Sequence, residues 1–213
     1  MENFIGIFNF FLNIDTHLGE IIASHGGLSY IVLFVIIFAE TGFVFAPFLP
    51  GDSLLFIAGA FSAMGSFNIV ILLILFWIAT FLGDTVNYWI GRSLGQKIIN
   101  NPKIPINQEH INKTQKFYNK HGGKTIILAR FSPIIRTFAP FIAGMGKMSY
   151  KKFAYYNTIG EFIWVFGFTL LGYFFGNFSV IKENFSIVIF VIVVLSFLPM
   201  LIEFARTKFK KVN

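Results

Sequence analysis

The chain has 213 residues, of which 55% are hydrophobic and only 13% charged, with 30 phenylalanines and a net charge of +7. A mean hydropathy of +0.71 and several apolar runs near the roughly 20 residues that cross a bilayer point to an all-α polytopic membrane protein rather than a soluble domain. With no cysteine, disulfides, thiolate metal sites and cysteine nucleophiles are excluded, and the surplus of lysine and arginine reads as positive-inside bias rather than a nucleic-acid surface.

Residues 1–27 come first. Phe4, Ile7, Phe8, Phe11 and Leu12 recur at helical spacing beside Asp15, His17 and Glu20, which predicts an interfacial amphipathic helix closed by Gly26-Gly27. This start has no basic leader or small-residue cleavage site, so a removed signal peptide is not expected. Leu28 to Ala46 is a credible span with Glu40 near its far end. Pro47-Phe48-Leu49-Pro50-Gly51-Asp52 follows, then an apolar run too short to cross, bounded by Gly65. Residues 47–65 are therefore predicted to form a re-entrant hairpin. Phe67 to Ile90 is a clear span, with Asp84 and Asn87 one turn apart near its end, and it completes a first repeat over 28–91.

Residues 92–124 set Arg92, Lys97, Lys103, Lys113, Lys116, Lys120 and Lys124 against a single acid, Glu109, with a surface helix expected from Asn107 to His121. Thr125 to Met145 is apolar, yet it holds Arg130, Arg136, Pro133 and Pro140. An arginine at mid-membrane costs roughly 2.5–3.5 kcal/mol on insertion scales, and proline removes backbone donors and breaks helices. Such a run belongs in hydrocarbon only when it packs inside protein or lines a wet cavity. Residues 125–146 are thus predicted to form a second hairpin within a second repeat over 125–176. Phe153 to Phe175 is a span interrupted by Gly160-Glu161, and residues 185–205 form the last span, ahead of a basic tail.

The basic loop, the Lys147–Lys152 turn and the tail carry the positive charge, so all three are expected on the cytoplasmic side, with both termini there too. The segment between loop and turn must then enter from the cytoplasm and return, and the 47–65 hairpin must enter from outside. Phe56-Ile57-Ala58-Gly59-Ala60 recurs as Phe141-Ile142-Ala143-Gly144-Met145, Gly83-Asp84 as Gly160-Glu161, and the Gly91/Gly95 pair as Gly172/Gly176. Paired broken segments in halves of opposite orientation are the sequence pointer to a midplane transport site. The expected fold is an inverted repeat of two opposed re-entrant hairpins flanked by transmembrane helices.

Chemistry falls to the intramembrane charges. Arg130 and Arg136 offer planar forks of donors suited to phosphate. Glu40 and Asp52 are candidates for pairing with them or for handling protons, with Asp84 and Glu161 as secondary candidates. Pro47, Pro50, Gly51, Pro133 and Pro140 are the expected hairpin breaks. A carboxylate whose arginine is captured by a phosphate changes its proton affinity, which is a route to proton coupling. The four histidines lie in surface segments, and no metalloprotease, serine-hydrolase or phosphate-loop pattern is present. No enzymatic activity, cofactor or metal is expected.

These motifs together resemble the DedA family of bacterial membrane proteins, also called the SNARE-associated or VTT-domain family. The resemblance is carried by Glu40-Thr41-Gly42, Pro47-x-x-Pro50-Gly51-Asp52, Gly83-Asp84 with Tyr88-x-x-Gly91-Arg92, and Arg130-Phe131-x-Pro133-x-x-Arg136-x-x-x-Pro140-x-x-Ala143-Gly144. It covers about residues 28 to 180. The resemblance implies facing hairpins and lipid translocation in the cytoplasmic membrane, either return of undecaprenyl phosphate or movement of phospholipids such as phosphatidylethanolamine. It also implies dependence on proton-motive force and a required acidic pair and arginine pair, here Glu40 with Asp52 and Arg130 with Arg136. The leading expectation is an undecaprenyl phosphate flippase whose partners are a phosphate-bearing lipid and protons, with homo-oligomerisation left open. The alternatives are a bulk phospholipid scramblase and a structural membrane protein that transports nothing.

Overall fold

A computed structural model describes residues 26–42, 51–99 and 108–179, with positions 181, 187, 188 and 191 beyond them. The described residues are helical, without a strand: α1 Gly27–Gly42, α2 Gly51–Ala63, α3 Ile69–Ile99, α4 Gln108–His121, α5 Thr125–Ala129, α6 Pro133–Met145 and α7 Tyr150–Gly176. A single 3₁₀ turn, Gly122–Lys124, links α4 to α5. Pro47, Pro50, most of the 1–27 helix, the middle of the basic loop and most of the 185–205 span lie outside the described residues.

Among the described residues, two helices are long and apolar enough to cross a membrane: Ile69–Gly95 within α3 and Tyr150–Gly176, each 27 residues. At 1.5 Å per residue each reaches about 40 Å, more than a hydrocarbon core of about 30 Å. Val70, Ile74, Ile78 and Leu82 of α3 recur every fourth residue and are all exposed, an apolar stripe that suits lipid rather than water. By contrast, the described parts of the first two apolar helices are short, 16 residues in α1 and 13 in α2.

Three sequence expectations change in detail. The span that begins near Phe67 does not stop at Ile90: α3 runs through Gly91 and Gly95 to Ile99. The span around Gly160-Glu161 is not interrupted, because α7 is continuous there. Pro140 does not break the chain but sits inside α6, while Pro133 begins that helix. Proline at the first helical position forfeits no hydrogen bond. Pro140 forfeits one, and its helix is held by neighbours on both sides, since Phe138, Ala139, Phe141, Ile142 and Ala143 are all buried.

The chain divides into two compact units. One comprises Met1–Ile31, Pro50–Leu72 and Phe168–Asn213, and the other Val32–Leu49 and Leu73–Gly167. Each draws on both halves of the sequence. In the first, α2 packs on the end of α7: a Cβ at Gly59 would meet Thr169 and the Tyr173 amide, one at Gly172 would meet Phe56, and one at Gly176 would meet Ala60. Past α2 the chain turns at Gly65, whose φ is 85°. Asn68 then caps α3, its Oδ1 accepting from the Val70 and Ile71 amides at 2.9 and 3.2 Å.

In the second unit α6 packs on α3 through the corresponding positions. A Cβ at Gly144 would meet Tyr88 and the Arg92 amide, one at Gly91 would meet Phe141, and one at Gly95 would meet Met145. Gly59 and Gly144, Phe56 and Phe141, and the two GxxxG pairs therefore play matching parts, each in its own unit. Small residues let backbones touch, which is how helices bind in lipid where apolar side chains gain nothing by associating. On the other side of α6, Ile111 of α4 joins Phe138, Phe141 and Ile142 in one apolar cluster. Tyr118 of the same helix reaches the Met148 sulfur at 3.5 Å. Burial pushes its phenol well above the ordinary tyrosine range, with Tyr88 and Tyr156 adding to the effect, so it stays a neutral donor.

Candidate functional site: a buried arginine cluster

The second unit carries its charges inside. Among the described residues, the buried ionisable groups are Glu40, Asp84, Glu161, Arg130 and Arg136. They come from four helices and from the break that follows α5. Arg130 caps α5, and residues 130–132 break the helix before Pro133. Ser132 is extended, with φ −132° and ψ 108°, as the residue before a proline prefers. This break turns the chain so that Arg130 and Arg136, on either side of it, both reach the interior.

Arg130 is held by two acids. Its Nη2 contacts Asp84 Oδ2 of α3 and lies 2.8 Å from Glu161 Oε1 of α7. The same nitrogen donates to Asn157 Oδ1 at 2.8 Å. Arg136, in the first turn of α6, donates through Nη2 to Glu40 Oε1 of α1 at 3.1 Å. Trp164 lies beneath both guanidiniums, its ring centre 4.6 Å from Arg136 Cζ and 5.9 Å from Arg130 Cζ. A desolvated cation over tryptophan gains about 2 kcal/mol. The two arginines are not equivalent: the Arg136 side chain is 9% exposed and that of Arg130 2%.

Helical spacing explains how α7 builds its wall. Asn157, Glu161 and Trp164 follow at four and three residues and share one face. On α3, Asp84, Asn87 and Tyr88 do the same. Asn87 Nδ2 donates to the Thr41 carbonyl at 3.3 Å and to the Thr137 carbonyl at 3.0 Å, tying α1, α3 and α6 together around the pairs. Gly83 admits α1 here, since a Cβ there would strike Thr41.

Of the candidates read from sequence, Glu40 and Arg136 form one pair, and Asp84 and Glu161 share Arg130. Asp52 belongs to the first unit, half-buried in the first turn of α2, where a carboxylate suits the positive end of a helix. Asn157 and Trp164 were not legible as site residues. Their one signal is the spacing that sets them on the face of Glu161.

Buried ion pairs inside apolar helices define a helical membrane protein with an internal polar site. Comparison with known proteins agrees. Residues 49–174 match the VTT domain. The chain is 51% identical over 205 residues to Protein DedA of Escherichia coli (strain K12), covering 95% of this chain and 94% of that one. It is 40% identical over 169 residues to an uncharacterised membrane protein of Mycobacterium leprae (strain TN), covering 79% and 76%. The inner membrane protein YqjA of Escherichia coli (strain K12) is 35% identical over 152 residues, covering 71% and 69%. No solved structure matches. The chain belongs to the DedA family, whose members are membrane proteins of the transporter kind.

Proposed function

We propose that this protein carries a phosphate-bearing lipid across the bacterial cytoplasmic membrane, with undecaprenyl phosphate as its substrate and protons as the coupling ion. The observation that carries the reading is Arg136: a buried, always-charged fork paired with Glu40, above a tryptophan face, in the first turn of a helix. A phosphate monoester offers that fork two oxygens and a fuller charge than Glu40 does. The positive end of α6 adds to the attraction. A prenyl tail needs no polar path, so only the head group has to pass through protein.

On this reading phosphate takes Arg136 from Glu40, and the released carboxylate, still out of water, takes up a proton. Asp52 serves as the second acid of the cycle. The matched packing of α2 on α7 and of α6 on α3 supports a repeat; the positive-inside pattern of the sequence is what assigns cytoplasmic termini in this reading. Purified protein in proteoliposomes is expected to move undecaprenyl phosphate between leaflets faster than protein-free vesicles, and faster when the vesicles carry a proton gradient. Equal rates for phosphatidylethanolamine and undecaprenyl phosphate would support the bulk scramblase instead. No acceleration of either lipid would leave only a structural role for the buried charges.

A further inference from the structure

The cluster has one acid too many. Glu40 from α1, Asp84 from α3 and Glu161 from α7 face Arg130 from the helix break and Arg136 from α6, three carboxylates against two guanidiniums. Burying one uncompensated charge costs several kcal/mol. The surplus is concentrated at Arg130. Asp84 and Glu161 both lie against Nη2 of Arg130, the nitrogen that donates to Asn157 Oδ1, so two acids share one cation.

Glu161 is the group left short. It is fully buried, and its Oε2 has no hydrogen-bond partner among the described residues. The Thr80 hydroxyl lies beside it, but its single proton is shared with the Phe76 and Trp77 carbonyls at 2.9 and 3.1 Å, so at most one oxygen of Glu161 is served, and only part of the time. A bare carboxylate oxygen is the most costly atom to leave in such a place, and a neutral acid the least.

We infer that the resting protein holds one proton on Glu161, as a carboxylic acid sharing Arg130 with ionised Asp84. The proton comes from the aqueous phase, forms an O–H bond at Oε2 and leaves the five buried groups electrically neutral. This gives the two arginines separate tasks: Arg136 with Glu40 takes the anion, and Arg130 with Asp84 and Glu161 stores the proton. Its meaning for transport rests on the lipid-carrier reading, whereas the proton itself is testable without any lipid substrate.

Infrared spectra of the full-length protein in lipid nanodiscs at neutral pH test it. Wild type is expected to show a carboxylic-acid carbonyl band that disappears in Glu161→Gln and persists in Glu161→Asp. Because glutamine mimics the neutral acid, Glu161→Gln is also expected to unfold at a temperature no lower than wild type. A wild type without the band, a band unchanged in Glu161→Gln, or a Glu161→Gln protein that unfolds earlier or fails to fold overturns the inference. If the band behaves as expected while the protein neither binds nor moves undecaprenyl phosphate, the transport reading fails and the proton site stands.

Discussion

Replacing Arg130 with alanine is expected to cost about 3–5 kcal/mol of stability, the range seen when one partner of a buried ion pair is removed. Asp84 and Glu161 would lose the cation they share, and both are almost wholly out of water. The loss appears as a large fall in unfolding temperature in detergent and a low yield of folded protein. Exposed Lys113→Ala, on the solvent face of α4, is the control, expected to change stability by less than about 0.5 kcal/mol. Adding Asp84→Asn to Arg130→Ala is expected to recover part of the loss, because it removes the ionised acid left stranded. An Arg130→Ala protein as stable as wild type would mean that the buried cluster does not hold this unit together.

Arg136→Lys is expected to separate folding from function. Lysine keeps the charge facing Glu40, so the fold should survive with little change in unfolding temperature. What it lacks is the planar fork that meets two phosphate oxygens at once. One charge-assisted hydrogen bond is worth about 1.5–3 kcal/mol, so undecaprenyl phosphate transport should fall roughly tenfold to a hundredfold. The reading that the charges are structural expects the opposite: a stable Arg136→Lys protein with transport intact. Proteoliposome rates with the folded variant decide between them.

How much of this was legible in the residues depends on whether the cause was local. The break at 130–132 was legible, because an arginine-bearing apolar run with Pro133 forces one, and the extended Ser132 before the proline is a local steric effect. The glycine pairs were legible as a recurring spacing, and the structure shows what they admit: the same backbone-to-backbone contacts made once in each unit. Pro140 was misread for a reason outside its neighbourhood. Its missing hydrogen bond is offset by packing of α6 between α3 and α4, which a proline rule does not contain.

Asp84 and Glu161 show the same limit more sharply. Beside glycines, and in one case near a span end, they look like secondary positions until folding brings both onto Arg130. Trp164 reads as one more aromatic in a chain full of them, and Asn157 as one more polar residue near a helix start. Their roles arise from a chain break on another element that points two guanidiniums at them. Charge in an apolar run announced that a site exists, but which acid meets which arginine was written only in the packing.

The central claim is that buried Arg136 holds the phosphate of a lipid, and native mass spectrometry of the purified protein measures it directly. Wild type should keep undecaprenyl phosphate bound on release from detergent in preference to phosphatidylethanolamine, and Arg136→Ala, folded to the same extent, should not. Equal retention of undecaprenyl phosphate by wild type and Arg136→Ala would contradict it.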